Sequence, residues 1–113
     1  MNRIVLVPSA GEENERGARQ IIIDLLIDRD GAAVGPFPAF GRVGDYTRPE
    51  TLFPFALMGN GALAFGAHAS VPGSADILAI RSARVIVGAE ILRTTNDRAE
   101  SFVVAEVTPL MTA

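Results

Sequence analysis

The chain has 113 residues, ten of them arginine and thirteen acidic, for a formal net charge of −3. That length sets one domain with a single core, and 49% hydrophobic against 20% charged residues is the balance of a chain that folds. The absence of cysteine excludes disulfides, thiolate nucleophiles and cysteine-built zinc or iron–sulfur sites, while the absence of lysine excludes Schiff-base chemistry and a P-loop.

Residues 3–7 form a short β-prone run that Pro8 stops. Its four apolar residues before Pro8 are too few for a secretory signal, and no apolar run in the chain approaches the roughly 20 residues of a membrane helix. Residues 9–18 read as a polar, exposed connection. Residues 20–28 admit two readings. Ile21, Ile23, Leu25 and Ile27 alternate with Gln20, Asp24 and Asp28 on the other face, as in a strand with one buried side. Ala18, Ile21, Ile22, Leu25 and Leu26 also make a helical stripe, with Ser9 and Glu12 placed like a capping box. Three adjacent β-branched isoleucines, and Gly17 inside the alternative helix, favour the strand.

After a turn at Arg29, Asp30 and Gly31 comes Gly35-Pro36-Phe37-Pro38-Ala39-Phe40-Gly41. Prolines two apart forbid a helix, and the expectation is a loop region over about residues 35–55 with no central strand in residues 35–41. Residues 46–50 continue as loop, and residues 51–58 read as a strand that Pro54 confines to an edge or bulge. Gly59-Asn60-Gly61 is a tight turn returning residues 62–70 as a hairpin partner. A further turn follows at residues 71–74, then a short apolar run at 77–80. Residues 84–93 and 101–108 form a second hairpin across Thr95-Asn96-Asp97-Arg98. About seven short strands punctuated by turns predict an all-β single domain, an antiparallel β-sandwich, with a small β-barrel as the alternative.

Few residues suggest catalysis. His68 is the only histidine, and its nearest acid in sequence is Asp76 across a Pro-Gly turn. A zinc site needs three or four ligands, so a hydrogen-bonded or solvent-facing strand histidine is the plainer reading. Asp24, Asp28 and Asp30 fall at even-numbered spacings, four and two residues apart, but lack the tight turn and distal glutamate of an EF-hand. Glu12, Glu13 and Glu15 read as a solvated loop. Ser74 and Ser82 stand outside any G-x-S-x-G context. The expectation is a protein that is not an enzyme, with no metal and no cofactor. Arginines and acids are interspersed, six against eight in residues 1–61 and four against five in 62–113, without the basic face of a nucleic-acid binder.

Phe37, Phe40, Phe53 and Phe55 lie in the proline-rich segments. They are either core plugs beneath long loops or anchors for a neighbouring subunit, a common use of aromatics at interfaces. The second reading makes residues 35–55 a docking arm and these four phenylalanines its candidate partner interface.

Leu6-Val7-Pro8-Ser9-Ala10, a polar gap, then Arg16-Gly17-Ala18 leading to Ile21-Ile22-Ile23-Asp24-Leu25 resembles a family of small bacteriophage virion proteins. The likeness continues through Val71-Pro72-Gly73, residues 81–87 and a final strand near residues 101–107. The resemblance implies a virion β-sandwich encoded among head genes, which decorates or cements the capsid. Its implied partners are major capsid or other virion subunits, with a homo-oligomer expected and neither direct nucleic-acid nor membrane contact. Its location would be the virion, assembled in the host cytoplasm. A head–tail connector of small-barrel form and a cytoplasmic ligand-binding barrel are the competing readings.

Overall fold

The computed structural model describes residues 1–10, 19–65, 76–96 and 98–110. Eight strands follow in chain order: β1 (Asn2–Pro8), β2 (Gln20–Ile27), β3 (Ala33–Gly44), β4 (Phe53–Leu57), β5 (Leu63–Phe65), β6 (Asp76–Leu78), β7 (Glu90–Thr95) and β8 (Arg98–Pro109), with one 3-10 turn at Pro49–Thr51. Residues 20–27 are strand, as the alternating isoleucines predict, with Ile21, Ile23 and Leu25 fully buried. Residues 11–18, which would carry the start of the helical alternative, lie outside the described residues. No helix among the described residues is long and apolar enough to cross a membrane.

All eight strands belong to one antiparallel sheet in the order β5-β4-β3-β2-β1-β8-β7-β6. Its two edges meet: Ala62 and Ile77 form an isolated bridge, and the Leu78 N–H donates to the Gly61 carbonyl at 2.8 Å. The sheet is therefore a nearly closed barrel. The all-β single domain stands, in the arrangement given above as the alternative to a sandwich.

Strand pleating divides the chain between inside and outside. Ile4, Leu6, Ile23, Leu57, Ile91 and Phe102 fill the interior with no exposed surface, each worth roughly 1.5–3 kcal/mol of burial. One end is plugged by the connection between β6 and β7. Ile80 and Val85 point into the core, the Val85 N–H donates to Gly31 O at 2.7 Å, and Arg81 donates to Gly59 O while its guanidinium covers the Phe37 ring at 4.8 Å.

Two expectations need correction. The first is the loop at residues 35–55. β3 is a central strand, bonded to β2 on one side and β4 on the other, and β4 follows it in the sheet. The prolines are tolerated because of where they fall. β4 pairs only with residues 39–43 of β3, and the β2–β3 register is irregular between Asp24 and Ile27, so neither Pro36 nor Pro38 has a ladder partner. No ladder N–H is required of either. Pro54 is accommodated similarly: it faces Arg42 of β3, while β5 pairs only from Phe55 onward. The second correction is the start of the last hairpin, whose first strand begins at Glu90 because residues 84–89 belong to the plug. The turns at residues 28–31 and 58–62 form as expected, with Asp28 Oδ1 accepting from the N–H groups of Asp30 and Ala32 and Met58 N–H donating to Ala62 O.

Gly41 sits where β3 crosses the core. A Cβ there would lie 2.4 Å from Ile22 O and 2.7 Å from Phe55 Cζ, whereas a Cβ on Gly59 would meet only Phe37 Cβ at 3.9 Å. Gly41→Ala is therefore expected to lower urea stability by about 1–3 kcal/mol. Gly59→Ala should stay within about 0.5 kcal/mol of the parent.

Candidate functional site

The four phenylalanines separate according to the pleat. Phe55 points inward, is 4% exposed and packs edge-on against Phe65 with ring centroids 6.0 Å apart. It belongs to the core and drops out of any partner interface. Phe37 is half-buried against the core beneath Arg81. Phe53 faces Val43 at the end of the barrel away from the plug and is 55% exposed. Phe40, on the outer side of β3, is 66% exposed.

Phe40 stands in a built surface. Cross-strand register aligns Arg3, Asp24, Phe40 and Ala56 across the outside of β1–β4. The next row aligns Val5, Ile22, Arg42 and Pro54. Together they frame a cleft of about 640 Å³, lined by Arg3, Asp24, Phe40, Arg42, Tyr46 and Pro54 among others. Arg3 Nε and Nη2 donate to the two Asp24 oxygens at 2.9 and 3.0 Å. That hydrogen-bonded contact, with the Coulombic attraction beside it, holds the guanidinium above its ordinary pKa. Arg42 has no ion pair among the described residues, so the two arginines and one aspartate leave the cleft with one net positive charge.

Tyr46 covers part of the second row, its hydroxyl donating to Arg42 O at 2.9 Å. The following turn fixes it there. Asp45 Oδ1 accepts from Thr47 N–H at 2.9 Å and Thr47 Oγ1 at 2.6 Å, and Thr51 Oγ1 donates to Arg48 O at 2.8 Å. The Thr47 hydrogen bonds hold the Asp45 carboxyl below its usual range. Burial pushes the Tyr46 phenol up, against a weaker pull from Arg42. An exposed aromatic ring flanked by arginine and tyrosine is suited to recognition, since these residue types carry much of the energy at interfaces.

Arg3, Arg42 and Tyr46 escape a reading of the sequence alone, and Asp24 stands out there only for its spacing from Asp28 and Asp30. Phe40 and Arg42 are two apart, the spacing of one strand face, but the flanking prolines disguise the strand. The remaining sequence candidates are dispersed. His68, Ser74, Glu12, Glu13 and Glu15 lie outside the described residues. Ser82 is exposed on the plug, near Ala79 O. Asp24 is paired with Arg3, and Asp28 shapes its own turn. Among the described residues no three His, Cys, Asp or Glu side chains gather as a metal site would require. The chain matches no family model, and no curated protein or solved structure matches it.

Tyr46 gives the surface a readable titration. The chain has one tyrosine, no lysine and no cysteine, so little else ionises near pH 10. Because the folded pKa is raised, the unfolded state loses this proton first. The associated stability is complete below about pH 10 and declines as pH rises through the folded pKa. Urea unfolding between about pH 9 and 11 should show that decline, and Tyr46→Phe should flatten it.

Proposed function

We propose that this chain is a structural protein of a bacteriophage particle, which decorates or cements the capsid by docking the outer face of β2–β4 on a neighbouring virion subunit. The observation that carries the docking surface is Phe40, 66% exposed in the middle of a sheet face and bordered by Arg42 and Tyr46. A large aromatic on water-exposed sheet contributes little to the fold and a great deal to an interface. The order of short motifs described above supports the virion assignment. The filled interior argues against a barrel that holds a small ligand inside, because inward positions are occupied by packed side chains. One further reading has a specific observation in its favour: a single curled sheet suits a head–tail connector of small-barrel form. Copy number separates the two, since a decorating protein is present in proportion to the major shell protein and a connector in a few copies.

The test is quantitative mass spectrometry of purified particles, followed by sedimentation of added protein with particles stripped of it. The chain should be abundant in the particles. Phe40→Ser should weaken co-sedimentation by about 30-fold, the effect of losing an interface residue worth roughly 2 kcal/mol. Absence of the chain from the particles overturns the virion assignment, and unchanged binding by Phe40→Ser overturns the docking surface.

A further inference from the structure

The turn between β4 and β5 reverses the chain and also closes the barrel. Gly61 within it supplies the carbonyl that accepts from the Leu78 N–H at 2.8 Å. Gly61 is buried with φ +91°, and a Cβ on it would lie 3.2 Å from Leu78 O. There is little slack at this point. Among the described residues the backbone pairing of the seam is that bond and the Ala62–Ile77 bridge, so any displacement of Gly61 reaches the seam directly.

The same turn holds the one asparagine of the chain that precedes a glycine, since Asn2, Asn14 and Asn96 precede Arg3, Glu15 and Asp97. Asparagine is a thermolabile residue, because the next backbone nitrogen can attack its side-chain carbonyl carbon. A glycine in the next position has no Cβ to shield that nitrogen. Asn60 is exposed, and its Oδ1 accepts from the Ala62 N–H at 3.0 Å. That bond draws electron density from Cγ and makes it a better electrophile. One contact opposes the reaction. The Gly61 N–H donates to Met58 O at 2.9 Å, and the nitrogen must leave this bond before it attacks.

We propose that Asn60 is a site of spontaneous backbone modification, and that its isoaspartate product opens the barrel seam. Hydroxide removes the Gly61 amide proton, and the nitrogen attacks Asn60 Cγ. The N–Cγ bond forms and the Cγ–Nδ2 bond breaks, with Nδ2 leaving as ammonia after taking a proton from water. Water then opens the cyclic imide. Addition at Cγ breaks the new bond and leaves an ordinary aspartate. Addition at the main-chain carbonyl of residue 60 breaks the original peptide bond and reroutes the backbone through Cβ and Cγ. The net change is amide plus water to carboxylic acid plus ammonia, without oxidant or cofactor. The rerouted backbone is one methylene longer, which carries Gly61 O away from Leu78. The inference does not depend on the virion assignment or on the Phe40 surface.

The test holds the full chain folded at mildly alkaline pH and follows it by peptide mapping with isoaspartate-specific methylation. The separated product then goes to amide hydrogen exchange. Isoaspartate should accumulate at residue 60 ahead of every other asparagine, and faster in urea, where the Gly61–Met58 bond is lost. In that product the Leu78 amide should exchange about tenfold faster or more than in fresh protein, as expected for a lost hydrogen bond in a locally opened structure. The β2 amides should keep their protection. Freshly prepared Asn60→Asp, which adds the charge without lengthening the backbone, should protect Leu78 as the parent does. No conversion at Asn60 in the folded chain, or conversion that leaves Leu78 protected, would overturn the proposal. So would equal loss of protection in Asn60→Asp, since the charge and not the rerouted backbone would then open the seam.

Discussion

Closure of the sheet is the constraint on which the rest of this molecule depends. An open eight-stranded sheet would leave two unpaired edges and an interior face exposed to water. Here the edge strands, Leu63–Phe65 and Asp76–Leu78, have three residues each and meet through one bridge and the Leu78–Gly61 hydrogen bond. So short a ladder is supplemented by two arginines that reach across the same seam. Arg81 joins Gly59 O and the Phe37 ring, and Arg93 places its guanidinium near Phe65 while bonded to Asp76. The plug at residues 79–89 seals one end of the barrel with Ile80 and Val85.

Once the sheet is closed, each strand position acquires a fixed meaning. Phe55 and Phe40 illustrate it, since both are phenylalanines of paired central strands, one sealed in the core and the other projecting to solvent. The same rule produces the arginine-lined end. Inward positions can be aliphatic only while another inward side chain faces them, and beyond Ile91 and Phe102 the pattern turns charged. The two surfaces differ in kind. The outer face presents the Phe40 ring beside Arg42 and Tyr46. The barrel end carries Arg19, Arg93 and Arg98 in one cleft, the first two paired with Glu100 and Asp76.

Much of the fold was legible in the residues. The alternation of Ile21, Ile23, Leu25 and Ile27 specified β2 and its buried face, and Gly59-Asn60-Gly61 specified the β4–β5 turn. Residues 35–41 were illegible for a physical reason. Proline excludes a strand only where a ladder N–H is required, and whether it is required depends on the neighbours' lengths, which are tertiary facts. That one ambiguity concealed β3, and with it the shared face of Phe40 and Arg42. The pairing of Arg93 with Asp76 was equally hidden, because only the hairpin and the seam bring those residues together.

Hydrogen exchange at the Leu78 amide tests the closed barrel most directly. This N–H donates across the seam to Gly61, so in a closed barrel it opens only with the sheet as a whole. Its protection should then approach that of the β2 amides, which sit between β1 and β3. If Leu78 exchanged orders of magnitude faster while β2 stayed protected, the seam would be open in solution, and the division of inside from outside at β5 and β6 would fail.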